Sequence, residues 1–281
     1  MIADFHVHTA FSDDSDYPME QVVRDAIRLG VDELCFTEHV DYGARAGRET
    51  LTEDDYEDGI LYVAPDYPSY FAEIDRMREA YGERLAIRAG LELGVETNTE
   101  APFCRLLDRW AERMDFAILS IHQVGDLEFW NGDFQRGRTQ KEYNDAYYQE
   151  MLDVVRTFEG PWCVLGHIDM IKRYDPAGIY PFEPVRDLIA EILRETIASD
   201  HGIEMNTSSY RYGLPDTTPC TEIVELYRDL GGSIVTIGSD SHEPSHLASH
   251  IRDAKQRLAA LGFDRYCTYE GWEPRFHSID D

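Results

Sequence analysis

Short apolar runs alternate with longer amphipathic stretches along this chain. The runs predict strands at 2–8, 33–38, 85–92, 115–121, 162–167, 203–206 and 233–238. The stretches between them predict helices at 18–30, 69–81, 101–113, 139–157, 184–201, 217–231 and 245–262. Because repeated strand–helix units build parallel sheets covered by helices, the sequence predicts an α/β fold.

Length and loop content bound the domain organisation. A chain of 281 residues, 43% of them hydrophobic, suits one large α/β barrel or two small domains. The absence of an internal repeat, a Gly/Ser linker and a low-complexity block favours a single domain over 1–281. Within it, 41–68 is an acidic, aromatic-rich stretch that we interpret as a loop insertion near the active site.

Targeting signals and cysteine usage bear on location. The first residues lack a basic region followed by an apolar stretch, and no apolar run approaches the roughly 18–20 residues that a membrane helix needs. The cysteines are odd in number, scattered and without CxxC spacing, which argues against a disulfide framework or a thiolate zinc site. They are Cys35, Cys104, Cys163, Cys220 and Cys267. We therefore expect a cytoplasmic protein with no membrane partner.

The net charge restricts the partners further. It is −29, and lysine is almost absent. Such a field repels long nucleic acids, because their binding depends on neutralising phosphates. Buried metal ions would offset part of this charge, and a salt-rich habitat is a second explanation for an acidic surface.

Histidines and carboxylates that could bind metal ions stand at the ends of the predicted strands. His6 and His8 are two residues apart on the first strand, so their imidazoles project from the same face. Neutral imidazole nitrogen suits Zn, Fe, Ni or Cu, although a pair on a solvated strand arises by chance as well. The later strands end in His39 after Glu38, in Glu92, His122, His167 and Asn206, and in Asp240 with His242.

Parallel barrels gather the C-terminal ends of their strands at one rim, where barrel enzymes keep their active sites. A histidine or carboxylate at one strand end can arise by chance. The same feature at nearly every strand end is not explained by chance. The candidates, His6, His8, His39, Glu92, His122, His167, Asp240 and His242, suffice for two or three ions. Such multinuclear centres typify phosphate-ester hydrolysis. The remaining histidines, His201, His246, His250 and His277, lie on helices or the tail and are interpreted as structural or exposed.

Two arginines follow strand ends at the same rim. Arg173 comes six residues after His167, and Arg211 lies in the stretch after the sixth strand. Guanidinium groups bind phosphate through paired hydrogen bonds, so both are candidate catalytic residues. The alternative for either is an ordinary surface ion pair, with Arg211 the stronger candidate.

The ordered motifs HxH, TEH, GLE, SIH, GHID and GSDSH, from Phe5 to His242, resemble the PHP (polymerase and histidinol phosphatase) family. Within it the chain is most similar to the monofunctional L-histidinol-phosphate phosphatases. The resemblance implies a distorted, TIM-like (β/α)7 barrel with two or three divalent metal ions of Zn, Fe or Mn at its C-terminal rim.

The resemblance also implies a ligand set. His6, His8, Glu92 and Asp240 would hold one ion, Glu92, His122 and His167 a second, and His39, His242 and Asp14 a third. Many relatives have a histidine at the position of Asp14. The carboxylate of Asp14 is a harder ligand than imidazole and is anionic, so the third ion could differ in identity or occupancy. Asp13 and Asp16 remain alternatives to Asp14. Glu38 is expected to orient His39 without binding metal itself.

These features predict a metal-dependent phosphomonoesterase that hydrolyses L-histidinol phosphate, a small-molecule substrate. The metals activate water for in-line attack and, with Arg173 and Arg211, hold the phosphoryl oxygens, while Asp240 or a metal-activated water protonates the leaving alkoxide. His242 is included among the catalytic candidates. Acidic and aromatic side chains of 41–68 would seat the cationic amino-alcohol: Asp41, Tyr42, Asp54, Asp55 and Tyr56.

Three alternatives remain open. A PHP enzyme could act on another small phosphate, a nucleotide or a phosphodiester, and an amidohydrolase-type barrel would also use HxH. Many dinuclear amidohydrolases need a carboxylated lysine on a mid-barrel strand, whereas Lys141, Lys172 and Lys255 lie outside the predicted strands. A regulatory barrel without activity would bind metal and turn over no ester. The sequence leaves the oligomeric state open.

Overall fold

The computed structural model describes residues 1–43, 56–57 and 59–280. Seven parallel strands form the centre of the fold, as predicted. They are β1 (Ala3–Val7), β2 (Glu33–Tyr42), β3 (Ala86–Gly94), β4 (Phe116–Ser120), β5 (Val164–Leu165), β6 (Gly202–Asn206) and β7 (Val235–Gly238). Each pairs with the next in the chain, so spatial order follows sequence order from β1 to β7.

The sheet closes where β1 meets the end of β7. A parallel bridge joins Val7 and Ser241, and the backbone N–H of His8 donates to the carbonyl of Ser241 over 2.8 Å. The buried Asp4 carboxylate reinforces this seam by accepting from the backbone N–H and the hydroxyl of Ser239, at 2.8 and 2.5 Å. The predicted distorted (β/α)7 barrel is confirmed, with a closing seam that relies on few backbone hydrogen bonds.

Helices cover the outside of the barrel. They are α1 (Met19–Leu29), α2 (Tyr67–Tyr81), α3 (Glu100–Trp110), α4 (Gln140–Thr157), α5 (Arg186–Ala198), α6 (Thr221–Asp229) and α7 (Ile251–Ala260). Short 3₁₀ helices span Ala111–Arg113, Met170–Tyr174, Glu183–Val185 and Ser208–Tyr212. In α1 the buried residues Met19, Val22, Val23 and Ala26 follow helical spacing and face the sheet. No helix among the described residues is long and apolar enough to cross a membrane.

Two predicted helices begin later than expected. The helix predicted at 217–231 begins at Thr221, because Thr218 instead pairs through both backbone groups with Asn206 at the end of β6. The helix predicted at 245–262 begins at Ile251, because Ala248 and His250 adopt positive φ angles of 55° and 57° that interrupt a helix. The strand predicted at 162–167 is reduced to two residues.

Three hairpins were not predicted. Tyr56–Glu57 and Ile60–Val63 form one, which extends the end of β2 in antiparallel fashion, and Gln123–Val124 with Leu127–Glu128 forms another. Arg265–Glu270 and Glu273–Ser278 form the third, whose turn donates backbone N–H groups to Asp115 at the start of β4. Of the predicted insertion 41–68, Asp54 and Asp55 lie outside the described residues. The assignment of 1–281 to one domain with this insertion stays a prediction.

Candidate metal centre

The C-terminal ends of the strands surround one cavity, as the strand-end pattern predicts. His39 and Asp41 come from β2, Glu92 from β3, and His122 and His167 from the residues after β4 and β5. The cavity is lined by Asp14, His39, Asp41, Glu92, His122, Gln123, Glu128, Phe129, Trp130, His167, Met170, Arg173, Tyr174, Tyr212, Asp240 and His242. His6 and His8 of the first motif are fully buried beneath it.

Glu92 stands at the centre of the histidines, 1% exposed. Its Oε1 lies 3.1 Å from His122 Nε2 and 2.7 Å from His167 Nε2, and it accepts a hydrogen bond from Ser120. Its Oε2 faces three further imidazole nitrogens, of His6, His8 and His39, at 3.1, 3.4 and 3.1 Å. One carboxylate therefore contacts imidazoles on both sides, as a bridge between two ions requires.

Donor atoms gather into several groups that could hold an ion, each with its atoms within 4.8 Å of one another. These groups are His6, His8 and Asp240; Glu92, His122 and His167; His8, His39 and His242; and His39, Asp41 and His122. The second group has the residues of the second set that the resemblance implies, and the first group has three of the four residues of its first set. The fourth residue, Glu92, lies 3.1 Å from His6 Nε2 and 3.4 Å from His8 Nε2. The last group contains Asp41, which the sequence analysis placed in the substrate site.

Asp14 lies beside the third predicted set. Its Oδ2 is 3.5 Å from His39 Nε2 and 3.3 Å from His242 Nε2, and the two imidazole nitrogens are 3.3 Å apart. The positive charges of both imidazoles hold the pKa of Asp14 well below its usual range, against the partial burial of a side chain that is 49% exposed. Of the three candidate aspartates, these contacts favour Asp14 over Asp13 and Asp16.

Glu38 does not reach the ring of His39. Its carboxylate is fully buried and accepts hydrogen bonds from Thr9 N at 2.9 Å, Thr9 Oγ1 at 2.7 Å and Ser12 Oγ at 2.7 Å. Ser12 in turn accepts from the backbone N–H of His39 and lies 3.1 Å from His8 Nδ1. Glu38 therefore holds the backbone of Thr9 directly. Through Ser12 it is connected to the backbone N–H of His39 and to the ring of His8.

Two carboxylates contact the far ring nitrogens, and of these the sequence analysis did not name Glu204 and assigned Asp41 to the substrate site. Glu204 Oε1, from the middle of β6, lies 2.5 Å from His6 Nδ1, and Asp41 Oδ1 lies 2.6 Å from His122 Nδ1. Both leave the Nε2 atoms of these histidines directed at Glu92. A carboxylate on Nδ1 fixes the tautomer and the orientation of a ligand histidine. The only available signal for Glu204 was an acid within an apolar strand.

The electrostatics of the cluster suit divalent cations. Although burial opposes it, the positive charges of His6, His122 and His39 hold the pKa of Glu92 well below its ordinary value. Burial, together with the charges of His242 and His39, lowers the pKa of His8, which keeps that imidazole in its neutral, metal-binding form. The buried His8 Nε2 and His39 Nδ1 make no hydrogen bond within the described chain, although they lie 3.4 and 3.1 Å from Glu92 Oε2. Imidazole nitrogens without hydrogen bonds around a buried carboxylate fit metal ions.

The two predicted arginines occupy different places. Arg173 lines the cavity; its NH2 donates to Ser208 and lies 3.6 Å from Asp240 Oδ2, and its guanidinium stacks over Tyr212 at 4.2 Å. Arg211 directs NH1 and NH2 to the backbone carbonyls of Ser239 and Asp240. Because Asp240 has a positive φ of 55°, Arg211 secures an unfavourable turn.

The outer part of the cavity is aromatic and carries one acid. Phe129, Trp130, Tyr174 and Tyr212 form its wall with Glu128, whose carboxylate accepts from Asn131 Nδ2 at 3.1 Å. Of the described residues of 41–68 that were expected to seat the substrate's cation, Asp41 lines the cavity on the side of the histidines, and Tyr42 and Tyr56 do not line it. Asp41 contacts His122, the Tyr42 hydroxyl donates to Glu57, and the half-exposed Tyr56 belongs to the outer hairpin.

Comparisons with known proteins agree with this geometry. Residues 4–208 match the PHP domain. The histidinol-phosphatase of Lactococcus lactis is 30% identical, covering 95% of this chain and 94% of that protein. A probable histidinol-phosphatase of Thermotoga maritima is 27% identical, covering 95% of each chain.

Among solved structures, the histidinol phosphate phosphatase of L. lactis in complex with zinc, L-histidinol and phosphate superimposes with a TM-score of 0.82, at 28% identity and 98% coverage of both chains. The putative histidinol phosphatase of Listeria monocytogenes shares the fold at 21% identity, with a TM-score of 0.68 and coverage of 88% of this chain and 97% of the other.

Proposed function

This chain belongs to the PHP domain family, and we propose that it is a metal-dependent phosphomonoesterase that hydrolyses L-histidinol phosphate to L-histidinol and phosphate. The observation that carries this proposal is the superposition on the L. lactis phosphatase complex, which covers 98% of both chains. The cluster of buried histidines and carboxylates around Glu92 supports it independently.

The proposed ligands follow the contacts of the cluster. His6, His8, Glu92 and Asp240 would hold one ion, Glu92, His122 and His167 a second, and Asp14, His39 and His242 a third. Zinc suits these nitrogen and oxygen donors, and iron or manganese is an alternative. Asp41 would orient His122 from behind, because its Oδ1 takes the ring nitrogen that faces away from Glu92.

Bound divalent ions would supply Lewis acidity to a phosphoryl oxygen and to the attacking water. Arg173 would hold the phosphoryl group, since its guanidinium lies at the cavity wall beside Asp240. Arg211 would position Asp240 through the backbone.

Asp240 would accept a proton before it takes the donor role expected from the sequence. Its carboxylate lies 3.8 Å from His6, 3.6 Å from Arg173 and 3.9 Å from Arg211, and these positive charges favour the ionised form. The ionised carboxylate can take a proton from the attacking water and, once protonated, can give it to the leaving alkoxide.

The cationic end of the substrate would lie against the aromatic wall, with Glu128 as its acid. Aromatic faces attract cations, and a buried carboxylate adds a full charge. Glu128→Gln keeps the shape and removes that charge. We expect a raised KM for L-histidinol phosphate and an unchanged KM for a phosphate ester without a cationic group, such as phenyl phosphate. An equal change for both substrates would contradict this placement.

The decisive experiment is steady-state kinetics of zinc-loaded protein on L-histidinol phosphate beside a panel of phosphomonoesters, nucleotides and phosphodiesters. The proposal requires the highest kcat/KM for L-histidinol phosphate. A diester or nucleotide at the top of the panel would indicate another PHP activity, and zinc binding without turnover of any ester would indicate a regulatory barrel.

A cytoplasmic location is the last part of the proposal. All five cysteines have free thiols in the structure. Disulfides are rare in the reducing cytoplasm, so free thiols accord with it. Fractionation of cells that produce the protein tests this, and recovery outside the cytoplasm would contradict it.

A further inference from the structure

The carboxylate of Glu204 connects two of the proposed ion sites from beneath. It lies in the middle of β6 and is 1% exposed. Its Oε1 is 2.5 Å from His6 Nδ1, and its Oε2 accepts the backbone N–H of His167 at 3.1 Å. His6 belongs to the first proposed site and His167 to the second. We infer that Glu204 is a positioning residue that sets the geometry of both sites at once, an inference that rests on the proposed function.

The contacts of Glu204 distinguish it from a ligand. His6 turns Nδ1 to Glu204 and Nε2 to Glu92, so the two carboxylates lie on opposite sides of the ring. Glu204 Oε2 accepts from the amide of Asn206 at 3.2 Å as well as from the backbone of His167. A proton held on Nδ1 leaves the Nε2 lone pair of His6 available to a metal.

The contact to His167 has a second effect. His167 has a φ angle of +22°, at the edge of the region that non-glycine residues avoid. Its N–H is held by Glu204, while its Nε2 lies 2.7 Å from Glu92 Oε1. Glu204 therefore stabilises the backbone conformation that brings this imidazole to the cluster.

The neighbouring strand leaves space for this arrangement. A methyl group on Gly238 of β7 would lie 2.3 Å from His6 Cβ and 2.5 Å from Glu204 Oε1, closer than side-chain carbons come to other atoms. Only glycine at this position allows Glu204 and His6 to meet. A side chain at position 238 would therefore displace His6 or Glu204.

The test measures zinc affinity without turnover. Glu204→Gln preserves shape but cannot accept both hydrogen bonds, because one of its terminal atoms is an amide donor. We expect zinc binding to metal-stripped protein, measured by competition with a chromophoric chelator, to weaken roughly 10- to 100-fold. Glu33→Gln is the matched control, since it removes a buried carboxylate that pairs with Arg88 at the other end of the barrel. The control should bind zinc as the wild type does.

A second background separates positioning from general destabilisation. In a His6→Ala protein, Glu204→Gln should weaken zinc binding by a smaller factor, because of the two contacts to proposed ligand histidines only that to His167 is left to lose. If Glu204→Gln folds poorly by circular dichroism, Glu204→Asp replaces it: the charge is kept, the reach is shortened, and an intermediate loss is expected. Unchanged zinc affinity, or an equal factor in both backgrounds, would overturn the inference.

The two proposals fail in distinguishable ways. Wild-type protein that binds zinc but turns over no L-histidinol phosphate refutes the proposed function and leaves the Glu204 measurement intact. Wild-type protein that is active, with a Glu204→Gln variant that binds zinc normally, refutes the inference alone.

Discussion

Arg173 and Arg211 offer a sharp test, because their contacts in the structure favour Arg173 as the residue that binds phosphate, whereas the sequence favoured Arg211. Arg173 lines the cavity, and its buried Nε has no hydrogen-bond acceptor in the described chain. Arg211 donates to two backbone carbonyls instead. We predict that Arg173→Met impairs catalysis, whereas Arg211→Met mainly impairs stability.

The magnitude follows from the contact that Arg173 would make. A hydrogen bond to a charged group contributes about 1.5–3 kcal/mol. Since about 1.36 kcal/mol corresponds to a tenfold change in rate, kcat/KM should fall roughly 12- to 160-fold in Arg173→Met. Arg173→Lys should recover only part of this loss, because an ammonium lacks the planar fork of donors.

The assay is release of phosphate from L-histidinol phosphate by protein with verified and equal zinc content. Arg211→Met removes the guanidinium donors from the backbone carbonyls of Ser239 and Asp240, which should cost roughly 1–3 kcal/mol of folding free energy and lower Tm by several degrees. Its kcat/KM should fall less than that of Arg173→Met. A kcat/KM within threefold of wild type for Arg173→Met, or a larger loss for Arg211→Met at unchanged Tm, would refute this assignment.

Three further outcomes are expected. Asp14→Asn should lower the zinc content of reconstituted protein by about one ion per chain, because Asp14 contacts both histidines of the third proposed site; unchanged content by metal analysis would contradict this. Chelation of the metals should lower Tm, and added zinc should restore it, since a ligand that binds only the folded state stabilises it; a Tm indifferent to chelator would exclude the metal centre. Burial raises the pKa of Glu96 from 4.5 to about 7. The folded protein therefore favours protonated Glu96, and this stabilisation is lost as pH rises through about 7. Relative to wild type, Glu96→Gln should gain roughly 3 kcal/mol in free energy of unfolding between pH 4 and 8, measured with urea, and a constant difference would disprove it.

Much of the candidate site could be predicted because a parallel barrel places the ends of its strands together whatever the intervening loops do. To place His39, Glu92 and His122 at the site, it was enough to predict where each strand ends and that the strands run parallel. The same reasoning could not distinguish a carboxylate that would bind a metal ion from one that contacts the far ring nitrogen of a ligand histidine. Asp41 and Glu204 differ from Glu92 in which imidazole nitrogen they contact, and side-chain rotamers determine that difference.

The contacts of Arg211 and the starts of two helices could not be predicted from the sequence for a related reason. Arg211 follows a strand end as Arg173 does, yet a strained turn at Asp240 draws its guanidinium to the backbone. The late start of α6 depends on pairing between Thr218 and Asn206, which are distant in sequence. Contacts of this kind leave no local periodicity in the sequence.

The seam between β1 and β7 has a consequence for biosynthesis. His6 and His8 lie on one side of this junction, and Asp240 and His242 lie on the other. A ribosome therefore releases His6 and His8 more than two hundred residues before Asp240 and His242 exist. The first and third proposed ion sites can be completed only when translation nears its end, and ions bound there would link the earliest and latest strands of the barrel.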